Sequence, residues 1–507
     1  MPVAGTSAER PSRYRIEPTV LQAFRSPRLL TREVLAGLVV AIALIPEAIA
    51  FSIIAGVDPR VGLFSSFVMA VAIAFLGGRP AMITAATGAV ALVIAPVVRE
   101  HGIDYLIATV MLGGLIQVVI ALLGVAKLMR FIPRSVMVGF VNALAILIFV
   151  AQLPHLFGVP WLVYPLVAAG LLIMYLMPRL TRVVPAPLVA IVLLTAAVVV
   201  FGISVPTVGD QGELPRSLPQ LFIPNVPLTL ETLQIIAPYA AAMAVVGLLE
   251  SLMTAKLVDD ITDTHSRKTR EAWGQGVANM LSGLFGGMGG CAMIGQTMIN
   301  VKASGARTRI STFLAGSFLL VLVVVLGDVV AIIPMAALVA VMIVVSVATF
   351  DWHSIRPATL KRMPKSELLV MVATVGITVW THNLAIGVIV GVLVAMTLFA
   401  RRIAHFTTVV RTVDESGPVP SALYTIDGEL FFASSNDLTT QFEYADDPDR
   451  VVIDMSRSHI WDASTVAALD AIVTKYEKHG KRVVLEGMNE ATTRFHGRLS
   501  GSLGAGH

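Results

Sequence analysis

The chain has 507 residues, of which 56% are hydrophobic and only 14% charged, with a formal net charge of +4 and a mean hydropathy of +0.81. A soluble protein carries about a quarter charged residues, so an ordinary water-soluble enzyme is excluded for most of the chain. A single cysteine, Cys291, excludes an intramolecular disulfide framework and two-cysteine redox chemistry, and the basic residues sit in short loops, the pattern of membrane orientation rather than of a nucleic-acid surface.

In chain order, a basic and polar N-terminal segment (1–32) comes first. It has no apolar signal-peptide region before Leu35, and its arginines are expected to hold it in the cytoplasm. Apolar stretches follow at 35–55, 61–76, 104–124, 135–153, 161–177, 184–204, 235–257, 271–287, 310–331, 334–350, 367–383 and 385–401. They recur too often and too evenly for the core of a soluble protein and predict membrane-spanning helices. Two shorter segments, about 87–98 and 293–302, bring the count to fourteen. A twelve-residue helix rises only about 18 Å, roughly half the hydrocarbon core, so these two are either half-helices or loops.

Loop charge tests the count. With the N-terminus inside and both short segments included, the cytoplasmic loops contain Arg79; Lys127, Arg130 and Arg134; Arg179 and Arg182; Arg267, Lys268 and Arg270; Lys302, Arg307 and Arg309; Arg356, Lys361, Arg362 and Lys365; then Arg401 and Arg402. Outward loops such as 205–230 hold few cations, so the alternation expected of cytoplasmic loops survives at fourteen. The transmembrane region is placed at 33–405. Seven segments per half is an odd number, so two related halves, about 33–228 and 229–405, would insert in opposite orientations. Gly77-Gly78, Ala81-Met82-Ile83 and Thr87 before the third segment resemble Gly286-Gly287, Ala292-Met293-Ile294 and Thr297 at the tenth.

Beyond Arg402 a polar linker (406–420) leads into residues 421–507. There RVVIDM (450–455) reads as a buried strand, Ser464–Tyr476 as an amphipathic helix and KRVVL (481–485) as another strand. This is a small α/β domain on the cytoplasmic side.

Two half-helices of opposite direction would point their N-termini at one another. Each such end offers unpaired amide hydrogens and about half a positive charge, which suits an anion. The first would start near Thr87, Gly88 and Ala89, and the second near Gln296, Thr297 and Met298. Ordinary Gly/Ala packing is the alternative. Glu250, in the eighth segment, has Thr254 on the same face four residues on, and Glu47 follows Pro46 in the first segment. A carboxylate inside a membrane faces a cavity or partner and often relays protons; the alternative is a packing hydrogen bond to a neighbouring helix. Asn142, Gln117 and Gln152 are read as interhelical hydrogen-bonders, His382 as a solvated loop residue and Cys291 as a small packing residue. No phosphate-binding loop, zinc motif or catalytic triad appears, so neither an enzyme nor an ATP-driven pump is expected, and no cofactor or metal.

ALIPEAIAFSIIAGVDPRVGLFSS, SVMVGFVNALAILIFVAQ, GLLESLMTAKLVDD, GQGVANMLSGLFGGMGG and QTMINVKASGARTR together resemble the SulP anion transporters, the sulfate-permease family, in a bacterial member. LYTIDGELFFASS and VVIDMSRSHIWDASTVAALDAI resemble a STAS domain. The resemblance implies a polytopic α-helical protein of fourteen segments in a 7+7 inverted repeat, divided into core and gate domains, with half-helices 3 and 10 holding the anion. It implies a homodimer in the bacterial inner membrane with both termini cytoplasmic, and a possible cytoplasmic regulator of the STAS domain. Thr87, Gly88 and Ala89 would bind substrate from one side and Gln296, Thr297 and Met298 from the other. Glu250 and Thr254 match the positions of a sodium site in bicarbonate-carrying relatives, where the acid is an aspartate. The glutamate here favours a coupling proton over sodium, with Glu47 as a second candidate. Ser464 falls where related antagonist proteins carry a phosphorylated serine, although DAST replaces the DSSG-type pattern; a helix N-cap is the alternative reading.

The function expected is therefore secondary, proton-coupled symport of a dianion, with a C4-dicarboxylate such as fumarate favoured and sulfate or bicarbonate as alternatives. Uncoupled conductance would instead indicate a channel. Transport that survives removal of residues beyond about Arg411 would count against a third reading, in which the spans merely anchor a signalling STAS domain.

Overall fold

The computed structural model describes residues 18–124, 132–180, 185–215, 217–404, 407–414 and 419–500. Residues 1–17 of the N-terminal segment, the loop cations Lys127, Arg130 and Arg182, and linker positions 406 and 415–418 lie outside the described residues. The chain divides into two compact units, residues 1–392 and 393–507.

All fourteen expected segments are helical. A short turn, α1 (Val20–Arg25), precedes α2 (Pro27–Ala55), α3 (Pro59–Leu76), α4 (Gly88–His101), α5 (Ile103–Leu122), α6 (Arg134–Val150), α7 (Val163–Leu180) and α8 (Ala186–Phe201). The second half runs α9 (Leu230–Thr262), α10 (Lys268–Leu284), α11 (Ile294–Met298), α12 (Arg309–Val325), α13 (Gly327–Ala331), α14 (Met335–Thr349), α15 (Pro357–Arg362), α16 (Lys365–Thr381) and α17 (Leu384–Ala404). A π-helical turn, Ile299–Ala303, extends α11. Pro27 and Pro59 occupy the first helical positions of α2 and α3, where no amide hydrogen is required. Gly56, with φ of +80°, ends α2 in the left-handed region that a side chain would strain.

Helices α2–α5 pack with α9–α12 into one bundle, while α6, α7, α8, α14 and α16 pack with one another. The core lies in the first bundle. About two-thirds of the apolar windows of α2 and α3 are buried, against 28% for α7. Apolar composition alone makes α10 a poor membrane helix, because Gln275, Asn279 and Ser282 interrupt it. All three are buried and hydrogen-bonded inside the bundle, so their polar atoms never meet lipid. Gly114 of α5 and Gly276 of α10 make this possible. A Cβ on either would lie 2.5 Å from the carbonyl oxygen of the other, so only glycines allow the two backbones so close.

Several of the cations placed in cytoplasmic loops also hold the fold together. Arg79 is 3% exposed and its guanidinium contacts Asp259 (2.9 Å), Thr262 and Thr264. Arg309 donates to the carbonyls of Ala74 and Gly77, and Arg270 to those of Phe75 and Leu76. These are the last carbonyls of α3, which have no partner within the helix. Glu33, fully buried, accepts from the amides of Arg307, Thr308 and Ser311 and so caps α12.

In the second unit, strands β3 (Thr408–Asp414), β4 (Ser421–Leu430), β5 (Arg450–Ile460) and β6 (Arg482–Glu486) form one sheet in the order β3-β4-β5-β6. The first unit holds two short strands of its own, β1 (Thr84–Ala85) and β2 (Cys291–Ala292). β3 pairs antiparallel to β4, and the other two pairs are parallel. Helices α18 (Phe432–Leu438), α19 (Ala463–Lys478) and α20 (Glu490–Leu499) complete it. Tyr424 of β4 and Tyr476 of α19 are wholly buried and both donate to Asp447, which also receives Arg411. Burial first, then the neighbouring Asp447 and Tyr424, pushes the Tyr476 hydroxyl well above the usual phenol range.

Candidate functional site

The third and tenth segments are short, and a two-stranded ladder joins their beginnings. β1 pairs antiparallel with β2, Thr84 opposite Ala292 and Ala85 opposite Cys291. Two residues after β1 the chain turns into α4, and one residue after β2 it turns into α11. The backbones at the ladder touch closely: a Cβ on Gly290 would fall 1.9 Å from the Ala85 carbonyl oxygen. That position admits glycine alone.

Thr87 caps α4, its hydroxyl accepting from the Val90 amide at 3.4 Å. Thr87, Gly88 and Ala89 therefore stand where expected. A Cβ on Gly88 would meet Phe51 of α2 at 2.8 Å and Ile148 of α6 at 3.2 Å, which places this helix end between the two bundles. The second half-helix starts where the 293–302 segment predicts, but ahead of the Gln296, Thr297 and Met298 stretch expected at its head. Met293, not a residue at 296–298, is its N-cap, and it has no side-chain cap bond. Gln296 and Thr297 thus lie within the first turn and a half. Among the described residues no acceptor is seen for the amides of Gly88, Ala89, Ile294, Gly295 and Gln296. Gly295 is exposed, with open space where a Cβ would point.

The ladder also corrects the repeat motif. Its local two-fold exchanges Thr84 with Cys291 and Ala85 with Ala292, a constant difference of 207 in number. Gly88 then corresponds to Gly295, whereas Ala81-Met82-Ile83 corresponds to Met288-Gly289-Gly290 and not to Ala292-Met293-Ile294. The halves are related at the ladder, but the shared AMI letters that suggested it are not equivalent in space.

The intramembrane acids come to this place from two helices. Glu250 of α9 is 7% exposed, and its Oε2 accepts from the Cys291 thiol at 2.9 Å. The Cys291 Sγ lies 3.0 Å from the Thr87 hydroxyl, so one cysteine connects the acid to the α4 cap. Glu47 of α2 is half-buried and the Gln296 amide lies against its carboxyl. Thr254 donates to the Glu250 carbonyl oxygen at 2.8 Å. Thr297 accepts from the Ile83 amide at 3.0 Å and so braces the chain leading into β1. Met298 packs in an apolar cluster with Ala36, Ala81 and Val258, away from the ladder.

Gln117 makes the interhelical bond expected, accepting from Asn279, whereas Asn142 donates to Ser354 in the turn between α14 and α15. Gln152 instead donates to Ile148 in its own turn. His382 is exposed at the end of α16. In the second unit, Asp462 rather than Ser464 caps α19, accepting from the Thr465 amide; Ser464 is exposed in the first turn. Sequence reasoning missed Phe51 and Ile148, as well as the link through Cys291. Only the single cysteine's nearness to the second motif was a signal.

Comparison with known proteins agrees with this architecture. Residues 30–165 and 160–374 match the sulfate permease family, and residues 411–498 match the STAS domain. The putative sulfate transporter YbaR of Bacillus subtilis is 52% identical over 463 residues, 91% of this chain and 95% of that protein. The bicarbonate transporter BicA of a Picosynechococcus is 27% identical over 521 residues, 92% of this chain and 90% of that one. The transmembrane domain of a cyanobacterial BicA superposes with a TM-score of 0.63 at 25% identity, covering 73% of this chain and 98% of that one. Murine Slc26a9, in an inward-facing state, superposes with a TM-score of 0.81 at 16% identity, covering 96% of this chain and 90% of that one, and so shares the fold. With its fourteen helical segments, paired half-helices and C-terminal α/β unit, the chain belongs to the sulfate permease family of membrane transporters, with a STAS domain at residues 411–498.

Proposed function

We propose that this chain is a secondary active transporter that carries a dianion together with a proton, by alternating access between its two helix bundles. The observation that carries the reading is the meeting of the α4 and α11 N-termini at one ladder, with five amides free of acceptors among the described residues. Thr87, Gly88 and Ala89 hold the anion from one side and Gln296 and Thr297 from the other, with Met298 shaping the second helix from behind. Two helix dipoles supply the positive potential. Glu250 and Glu47 flank this place, and an ionised carboxylate beside a bound anion repels it unless a proton or cation arrives with it. Glu250 carries the coupling proton; sodium, with Thr254 as its second ligand, is the competing ion.

Sulfate is the first dianion to test, because the relative with 52% identity is described as a putative sulfate transporter. A C4-dicarboxylate such as fumarate, which the family resemblance favours, is the second, and bicarbonate the third. The same resemblance supports a homodimer in the bacterial inner membrane with both termini and the STAS domain in the cytoplasm, where Ser464 is open to a regulator. The test is uptake of labelled sulfate, fumarate and bicarbonate into proteoliposomes, with and without an inward proton gradient, for wild type and Glu250→Gln. Proton-driven accumulation of one anion, lost in Glu250→Gln, is the expected result. Full proton-driven uptake in the variant would transfer the role to Glu47, and uptake of none of the three would overturn the reading.

A further inference from the structure

The contact between Cys291, Glu250 and Thr87 does more than fill space. Cys291 is fully buried, and its sulfur stands between a carboxylate oxygen at 2.9 Å and a threonine hydroxyl at 3.0 Å. A thiol has one hydrogen to give, and its sulfur accepts weakly. With Glu250 ionised, the carboxylate only accepts, so the thiol hydrogen must point to Glu250 and the Thr87 hydroxyl hydrogen must point to the sulfur. The Thr87 oxygen meanwhile accepts from the Val90 amide. In that state Thr87 has no hydrogen left for a ligand at the head of α4.

We propose that Cys291 is a positioning residue that couples the charge on Glu250 to the hydrogen-bonding capacity of Thr87; this rests on the transport reading above. When Glu250 takes up a proton on Oε2, that carboxyl hydrogen donates to the cysteine sulfur. The thiol hydrogen turns to the Thr87 oxygen, and the threonine hydroxyl hydrogen swings free toward the anion beside Gly88 and Ala89. Each sulfur and oxygen keeps its own hydrogen, and the only proton gained is the one on Glu250. Protonation thus removes a repelling charge and at the same time adds a donor. Reciprocally, an anion that takes the Thr87 hydrogen bond favours the protonated acid.

The other titratable groups on the elements packed around α9 lie at helix ends. They are Arg99, Glu100 and His101 on α4, and Asp104 and Tyr105 on α5. Lys268, Arg270 and Glu271 begin α10, and Lys302 lies in the turn after α11. On α9 itself, Glu231 is in the first turn, Lys256, Asp259 and Asp260 fall in the last turns and Tyr239 nearer its start, and Glu47 on α2 meets Gln296 instead. Cys291 is therefore the titratable side chain that touches Glu250.

The test compares wild type, Cys291→Ser, Cys291→Ala and Glu250→Gln in the full-length protein. Two quantities are read: sulfate and fumarate affinity across pH, and the infrared S–H stretching band across the same pH range without anion. In wild type we expect affinity to rise on the order of tenfold as pH falls, with the S–H band shifting over the same interval. Cys291→Ser, whose hydroxyl donates and accepts like the thiol, should keep the pH dependence. Cys291→Ala should still bind but lose most of that dependence, and Glu250→Gln should fix the S–H band at one position. An S–H band indifferent to pH, or a Cys291→Ala protein with the wild-type pH profile, overturns the proposal. If Cys291→Ala does not fold, the band comparison of wild type with Glu250→Gln decides. Wild type that binds neither anion while its S–H band still follows Glu250 would sink the transport reading, and the coupling to an anion with it.

Discussion

Asn279 and Gly290 exchange a pair of hydrogen bonds, the Gly290 amide donating to the Asn279 side-chain oxygen at 2.8 Å and the Asn279 amide to the Gly290 carbonyl at 3.2 Å. The same Asn279 amide donates to Gln117 at 2.9 Å. One side chain of α10 therefore pins the residue before β2 and ties α10 to α5. Replacing Asn279 by Leu leaves the Gly290 amide and the Gln117 oxygen buried without a partner, at about 1–3 kcal/mol for each group. Thermal unfolding in detergent should show a clearly lowered midpoint, and anion uptake should fall further than the loss of folded protein explains. A variant with wild-type stability would show that another group reaches Gly290.

Gly276→Ala should destabilise the first bundle by roughly 1–3 kcal/mol, the range for overpacking a tight contact. The added methyl would lie 2.5 Å from the Gly114 carbonyl oxygen, which belongs to backbone and cannot rotate away. Gly295→Ala, with nothing near its Cβ, is the control and should leave the unfolding midpoint within a degree or two of wild type by comparison with the same scale.

In the STAS unit, Asp462→Ala should cost about 1 kcal/mol, because Asp462 caps α19 through the Thr465 amide at 3.0 Å. Ser464→Ala should change stability by less than about 0.5 kcal/mol. Ser464→Asp, with its charge in the first turn of the helix, should be neutral or slightly stabilising. Chemical denaturation of the full-length protein, followed at Trp461, separates these outcomes. A large loss in Ser464→Ala would restore the N-cap reading of that serine.

Tyr444 gives the pH dependence. Burial first, and then Tyr424, pushes its hydroxyl up to about 12 from 10.0, and the hydroxyl donates to the Thr439 carbonyl. The folded value lies above the unfolded one, so the neutral phenol contributes stability that is complete below pH 10 and is lost as pH rises toward 12. An ultraviolet titration of tyrosinate should show an ionisation near pH 12 that is missing in Tyr444→Phe, while Tyr476, held higher still, stays protonated in both. The variant should also lose less stability than wild type between those two pH values.

The fourteen segments were legible because hydropathy, helix length and loop charge are local properties of the chain. Thr87 announced the start of α4, since a threonine cap is written in the residue itself. Met293 carries no such mark, so the residues that look like the head of α11 in the sequence, Gln296, Thr297 and Met298, lie inside the helix rather than at its start. The AMI match pointed to a true repeat for an accidental reason. Glu250 stood out as an acid in an apolar helix, but its partner Cys291 lies 41 residues after it, and Thr87 lies 204 residues before that cysteine. Contacts across such separations leave no periodic trace. The burial of Arg79 was not legible either, because a cation between two spans looks the same in sequence whether it meets water or, as here, Asp259.

The β1–β2 ladder has one further consequence. Its backbone reads alike from either end, because the two antiparallel strands are related by a local two-fold axis. The side chains break that likeness: Thr84 answers Cys291, and Thr87 answers Ile294. Any difference that the ladder presents at its two ends therefore lies in these unmatched side chains and not in its main chain.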